Sequence, residues 1–170
     1  MEFAAFHEWF PKLGKDECRS VILPDGGESI PPGEYAFVEC YCADKDCDCR
    51  RVMLMVIDSR TGKPMASIAY GFDRKAPLAG PFLDPLHPQS VHASEFLDLA
   101  KEMVLLDGHY TARLEKHYRM FKAAQRGDAT IAGAMLSPAQ VQERIAARKA
   151  RKQLVRQLKQ RTKRSRRIGC

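Results

Sequence analysis

Cys40-Tyr41-Cys42-Ala43-Asp44-Lys45-Asp46-Cys47-Asp48-Cys49 carries four of the chain's six cysteines, as two C-x-C pairs separated by four residues. Strand-like sequence flanks it. Residues 35–42 read as an incoming strand and 47–57 as an outgoing one, and the polar Ala-Asp-Lys-Asp between them has the composition of a hairpin loop. Side chains alternate along a strand, so Cys40 and Cys42 share a face, as do Cys47 and Cys49. A four-residue loop sets Cys42 opposite Cys47 and Cys40 opposite Cys49, with cross-strand Cβ atoms about 5 Å apart. Four sulfurs converging on one face suit a structural zinc, with Zn–S near ~2.3 Å and every position filled by protein. Cross-strand disulfides, a thiol redox centre and inert buried thiols fit the same spacing. Asp44, Asp46 and Asp48 favour the metal, because negative neighbours oppose a thiolate unless a cation accompanies it.

The run Cys47-Asp48-Cys49-Arg50-Arg51-Val52, preceded by Cys40-x-Cys42, resembles a hairpin that recurs in uncharacterised bacterial proteins. It is also distantly similar to the zinc-binding tail of the preprotein translocase ATPase, in which the gap is longer and the final pair is Cys-Cys or Cys-His. The resemblance covers residues 34–57. It implies zinc binding through Cys40, Cys42, Cys47 and Cys49, and it implies no activity.

Around this hairpin the pattern is α+β. Residues 3–10 place Phe3, Phe6 and Phe10 at helical spacing, and Pro11 stops the pattern. Residues 19–23 read as a first strand, and Pro24-Asp25-Gly26-Gly27 as a turn. Residues 52–57 are apolar on both faces, which predicts a central strand covered on both sides. Residues 65–72 follow as the next strand. The expectation is a small antiparallel meander of about four strands. Pro77, Pro81, Pro85 and Pro88 mark a connector over 76–90. Its His87, and His92 just beyond, read as surface residues rather than ligands. Ser94 and Glu95 then open a helix, Asp107-Gly108 breaks it, and residues 109–125 form a second helix in a helical hairpin. Tyr110, Leu114, His117, Tyr118 and Phe121 lie on one stripe of that second helix, read as core. Cys18 reads as a buried free thiol beside the first strand.

Charge divides the chain. Residues 144–167 hold 12 Lys or Arg and no acid, whereas the remainder holds 16 basic against 21 acidic residues, so the overall +7 describes neither part. The organisation expected is a body over 1–127, a spacer over 128–138 and a basic helical tail over 139–170, opened by Ser137-Pro138 with Gln140 three residues after the cap. Its apolar residues form no continuous stripe, so it is neither a core helix nor a coiled-coil seam. Arg148, Lys149, Arg151, Lys152, Arg156, Lys159, Arg161, Lys163, Arg164, Arg166 and Arg167 surround the cylinder. A polyanion would relieve their mutual repulsion by phosphate contact and counterion release. Without Tyr or Phe there is no stacking platform, so binding would be backbone-directed. RNA or the ribosome is the expected partner.

No run of 18 apolar residues spans a membrane, and the acidic, Phe-rich N-terminus lacks a basic leader, so a reducing cytoplasmic setting is expected. Neither a nucleophile elbow, a phosphate-binding glycine loop nor an H-E-x-x-H helix occurs. The chain therefore reads as a zinc-stapled binding protein rather than an enzyme. The alternatives are a thiol, redox or metal-handling protein, and an adaptor that recognises a protein partner. In the adaptor, Arg50 and Arg51 would form an exposed anion-binding pair; otherwise they neutralise the thiolates.

Overall fold

The computed structural model describes residues 2–73, 75, 76 and 78–128, together with Glu143, Ala146, Ala147, Lys149, Ala150, Arg151, Gln153 and Arg156. The elements are β1 (Phe3–Ala5), α1 (Phe6–Trp9), α2 (Pro11–Asp16), β2 (Arg19–Leu23), β3 (Gly33–Cys42), β4 (Arg51–Asp58), β5 (Pro64–Gly71), β6 (Phe82–Leu83), α3 (Ala93–Leu99) and α4 (Gly108–Gln125). A π-helical turn, Ala100–Val104, continues α3. The architecture is α+β, with one antiparallel sheet ordered β1-β3-β4-β5-β6 and β2 also on β3.

β3 is the long strand on which the sheet is built. One of its edges carries β4. The other carries β2 alongside 33–37 and β1 alongside 40–42, end to end. Val38 and Glu39 fall in the gap between them. The chain joining β1 to β2 leaves the sheet there as α1 and α2.

One face of β3 presents Tyr35, Phe37, Glu39 and Tyr41. Tyr35 meets Phe96 of α3 edge-on, and Tyr41 packs among Phe6, Tyr118 and Phe121. Helices α1, α3 and α4 thus cover this face, and the core lies between them and the sheet. The opposite face is covered in part by the chain after β6. There the Ser67 hydroxyl donates to the Pro88 carbonyl, and Phe3 meets His87 edge-on. β4 is central, with Val52, Met53, Leu54 and Val56 buried.

Three expectations are corrected. Residues 3–5 are a strand rather than the start of a helix, because Phe3 and Ala5 pair with Cys42 and Cys40. α3 and α4 do not pack chiefly on each other: α3 lies against β5 and β6, and α4 against β3, β4 and α1. The third concerns the hairpin register. Cys40 pairs with Met53 and not with Cys49, and residues 43–50 form the connection. The expected register would have put Val56 opposite Gly33 and Ile57 opposite Pro32, which has no N–H for the ladder. The observed one sets them against Phe37 and Ala36, inside the sheet.

Two compact units divide the chain, residues 1–135 and 136–170. In the second, the eight described positions are helical and exposed. The expected spacer beyond Asp128, and the expected cap at Ser137-Pro138, lie outside the described residues.

α4 begins at a built cap. The Asp107 carboxylate accepts N–H groups from His109 and Tyr110 at 2.9 and 3.2 Å. The Tyr110 N–H first, with help from His109 and Arg19, holds this carboxyl below its ordinary value of 3.8. A lowered folded-state value makes the cap stabilising above the unfolded value, and that stability is lost as pH falls through the folded one. The Asp107→Ala variant should therefore melt below wild type at neutral pH. Thermal melts taken from neutral pH to well below about pH 4 should show the two curves converging.

Candidate metal centre

β3 ends at Cys42, which is fully buried. The connection that follows, residues 43–50, carries three aspartates among its eight residues; backbone bonds tie its ends, from the Ala43 N–H to Glu2 and from the Phe72 N–H to Arg50, and side chains grip the rest of its backbone. Asp44 accepts the Asp46 N–H at 3.0 Å, a local Asx turn. Arg50, at φ 41°, turns the chain back through the left-handed region into β4.

The grip from outside comes from the last turns of α4. Lys122 is only 4% exposed, and its ammonium donates to the Cys42 carbonyl at 3.3 Å and the Asp44 carbonyl at 2.5 Å. The Gln125 amide donates to the carbonyls of Cys42 and Ala43 at 3.3 and 2.8 Å. The Tyr118 hydroxyl donates to the Asp48 carboxylate at 3.1 Å. A buried ammonium is costly unless hydrogen-bonded, and here backbone carbonyls supply that requirement.

The consequence is convergence. The sulfurs of Cys42, Cys47 and Cys49 all lie within 4.8 Å of one another. Tetrahedral zinc with Zn–S near ~2.3 Å asks for sulfurs about 3.8 Å apart, a modest closing of such a triangle. Cys40, two residues back on the same face, is outside this set. Its thiol turns along the strand toward the Val38 carbonyl at 3.8 Å. The register explains this: Cys40 is held in the ladder opposite Met53, not opposite Cys49. No disulfide joins the described cysteines.

Burial first, and then the neighbouring Cys42 and Cys47 sulfurs, push the Cys49 thiol up to about 12. A bound cation would reverse that by taking the place of the proton. Three basic groups around the connection, Lys45, Arg50 and Lys122, are differently used. Lys45 pairs with Asp46 in solvent, and Arg50 approaches Glu115 at 3.6 Å. Lys122 is spent on the backbone.

Neither His87 nor His92 belongs to the group of converging sulfurs. His87 pairs with Asp84 at 3.0 Å, and His92 meets the Ser29 hydroxyl at 3.2 Å. Cys18, expected to be buried, is exposed instead, at the end of the chain leading into β2; its thiol is raised by partial desolvation and by Glu39. Of the expected anion-binding residues, Lys149, Arg151 and Arg156 are helical and exposed. Arg148, Lys152, Lys159, Arg161, Lys163, Arg164, Arg166 and Arg167 lie outside the described residues. Sequence reasoning missed the clamp from α4. The available signal was a lysine, Lys122, next to Phe121 on the helix's buried side.

No protein-family model matches the chain, and comparisons with curated proteins and with solved structures return no significant match. Among the described residues, no helix is long and apolar enough to cross a membrane.

Replacing Lys122 by Met should loosen the 43–50 connection while the sheet survives. Amide hydrogen exchange is expected to accelerate there, with a stability loss of about 1–3 kcal/mol in urea titration. Unchanged exchange in the variant would mean that the clamp does not hold the loop.

Proposed function

We propose that the chain is a metal-binding protein whose Cys42, Cys47 and Cys49 thiolates hold one thiophilic cation, zinc by preference, as a structural staple. The observation that carries this is the convergence of the three sulfurs. Soft thiolate donors select zinc or copper(I) over magnesium and calcium. The resemblance of the Cys47–Cys49 run to zinc-type hairpins points the same way. The ion would tie the end of β3 to the connection leading into β4, the same segment that α4 clamps. The fourth position would be taken by a water, by a carboxylate of the loop, or by Cys40 after rotation of its side chain.

The staple would leave the basic tail to act as the contact surface for RNA or the ribosome. Lys149, Arg151 and Arg156, helical and exposed, support that reading, as does the charge asymmetry between residues 144–167 and the rest. Binding of this kind is phosphate-directed and falls steeply with salt.

A second reading is favoured by the same triangle. Three thiolates, two of them half-exposed, leave a coordination position open to an incoming ligand, as metal transfer requires. Chelator competition separates the two. A staple surrenders its metal slowly and unfolds locally as it does so; a transfer site exchanges rapidly with the fold intact.

Elemental analysis of purified protein should find one zinc per chain. Single Ser replacements of Cys42, Cys47 or Cys49 should each lose it. Cys40→Ser should retain it; loss there equal to the others would establish a four-thiolate site. A triple variant, C42S/C47S/C49S, that kept stoichiometric zinc would overturn the assignment.

Because each bound thiolate must shed its proton, the Cys49 thiol at about 12 included, apparent affinity should rise with pH. The rise should be about tenfold per pH unit for every proton displaced, read by competition with a chelator between about pH 6 and 8. Deleting residues 139–170 should abolish RNA binding and leave the metal in place. Undiminished RNA binding by the truncated chain would exclude the tail as the contact surface.

A further inference from the structure

The far end of β5 carries a pocket that neither the thiolates nor the basic tail uses. It has a volume of about 390 Å³, within the range of small-molecule sites and enough for a ligand of two fused rings.

Its floor is backbone. The Gly71 N–H donates to the Ala79 carbonyl at 2.6 Å, which draws the chain before β6 against the end of β5. The approach leaves no space for larger side chains. A Cβ on Gly71 would lie 3.1 Å from the Ala79 Cα, and one on Gly80, at φ 72°, 2.6 Å from the Ala69 carbonyl oxygen. Such a floor is flat, and a planar molecule can lie directly on it.

Tyr70 and Pro81 add apolar surface beside the floor. Tyr70 is half-buried and held edge-on against Phe72, with ring centroids 6.1 Å apart. Another wall is the end of the π-helical turn that continues α3. The Leu105 N–H reaches back five residues to the Ala100 carbonyl at 2.8 Å, and this wider turn brings Lys101, Leu105 and Leu106 to the pocket together. π-turns of this kind occur frequently at functional sites. Leu106 is 77% exposed and has apolar surface left to cover.

Charge decides the chemistry of the occupant. Among the described residues that line the pocket, Lys101 carries the charge. Its ammonium pairs with Asp98 at 3.0 Å; both side chains are exposed, so the pair is weak. An ammonium has three N–H donors, and the Asp98 oxygen takes one. Asp98 and the adjacent, exposed Glu102 oppose an anion, and Lys101 itself opposes a cation. An uncharged molecule that offers an acceptor oxygen to Lys101 meets neither objection.

We infer that this pocket binds a flat, uncharged aromatic molecule bearing a carbonyl oxygen, its rings on the glycine floor against Tyr70 and Leu106 and its oxygen on the Lys101 ammonium. The site is separate from the metal centre, since none of its residues belongs to the cysteine group.

The test is a titration of the full chain with carbostyril, a neutral lactam of two fused rings, followed by amide NMR. Saturable shifts should centre on Tyr70, Gly71, Gly80 and the turn from Lys101 to Leu106, with a Kd of about 1 mM or tighter, as a ligand of this size allows. Naphthoate, which adds a negative charge, and decalone, which keeps the carbonyl on puckered rings, should each bind about tenfold more weakly. Lys101→Met should weaken carbostyril about tenfold, and Leu106→Ser about threefold or more. Both positions are exposed, so both variants should melt like wild type. Leu86→Ser, at an apolar residue 80% exposed and outside the pocket, should bind as wild type does. Shifts that fail to saturate or that centre elsewhere would overturn the inference. So would equal binding of naphthoate or decalone, unaltered binding by K101M and L106S, or loss of binding in L86S.

Discussion

The pairing of β3 with β4 is the constraint on which everything else rests. β4 is apolar on both faces and must lie between two strands to be buried. The observed register sets Met53 to Ile57 inside the ladder, with Cys40 against Met53 and Tyr35 against Asp58. That choice consumes Cys40 as a ladder residue and delivers Cys42 to the very end of its strand. It also makes the acid-rich stretch 43–50 a free connection. A shorter hairpin would have aligned four sulfurs but set Ile57 opposite Pro32, which has no N–H for the ladder.

Long side chains from α4 then solve the problem that the register creates. An eight-residue connection rich in like charge has little reason to hold one shape. Lys122 and Gln125 supply donors to its carbonyls, and Tyr118 to Asp48. These three residues sit at helical spacing on the side of α4 that faces the sheet, so the same helix face that buries Phe121 also positions the cysteines. One turn further toward its start, His117 meets Glu39 and Glu17. α4 thus serves two polar constellations, one at the end of β3 and one in the gap along its edge, with the aromatic core between them.

That gap is itself a product of how the edge of β3 is shared. β1 and β2 each cover one end of the strand, and neither reaches Val38 or Glu39. The α1–α2 excursion closes the opening from outside, with Gly14 packed so tightly on His7 that a Cβ there would lie 2.6 Å from the His7 Cα. A buried carboxylate is tolerated on the sheet's core face because His117 and Tyr41 both donate to it.

Several features follow from the chain's local pattern alone. The strands over 19–23, 33–42, 51–58 and 64–71, the break at Asp107-Gly108 and the buried stripe of α4 are all legible, because alternation and helical periodicity depend on neighbours a few residues apart. So are the clustering of cysteines and the division of charge. What tertiary structure alone decided is which cysteines meet, that β1 and β6 exist, and that Lys122, Glu39 and His117 turn inward. A register is chosen by the combined burial of two whole strands, and a three-residue strand such as β1 exists only because Cys42 offers it a partner. No window of sequence contains both halves of those bargains, since Glu39 and His117 lie 78 residues apart and meet only when helix and sheet close on one core.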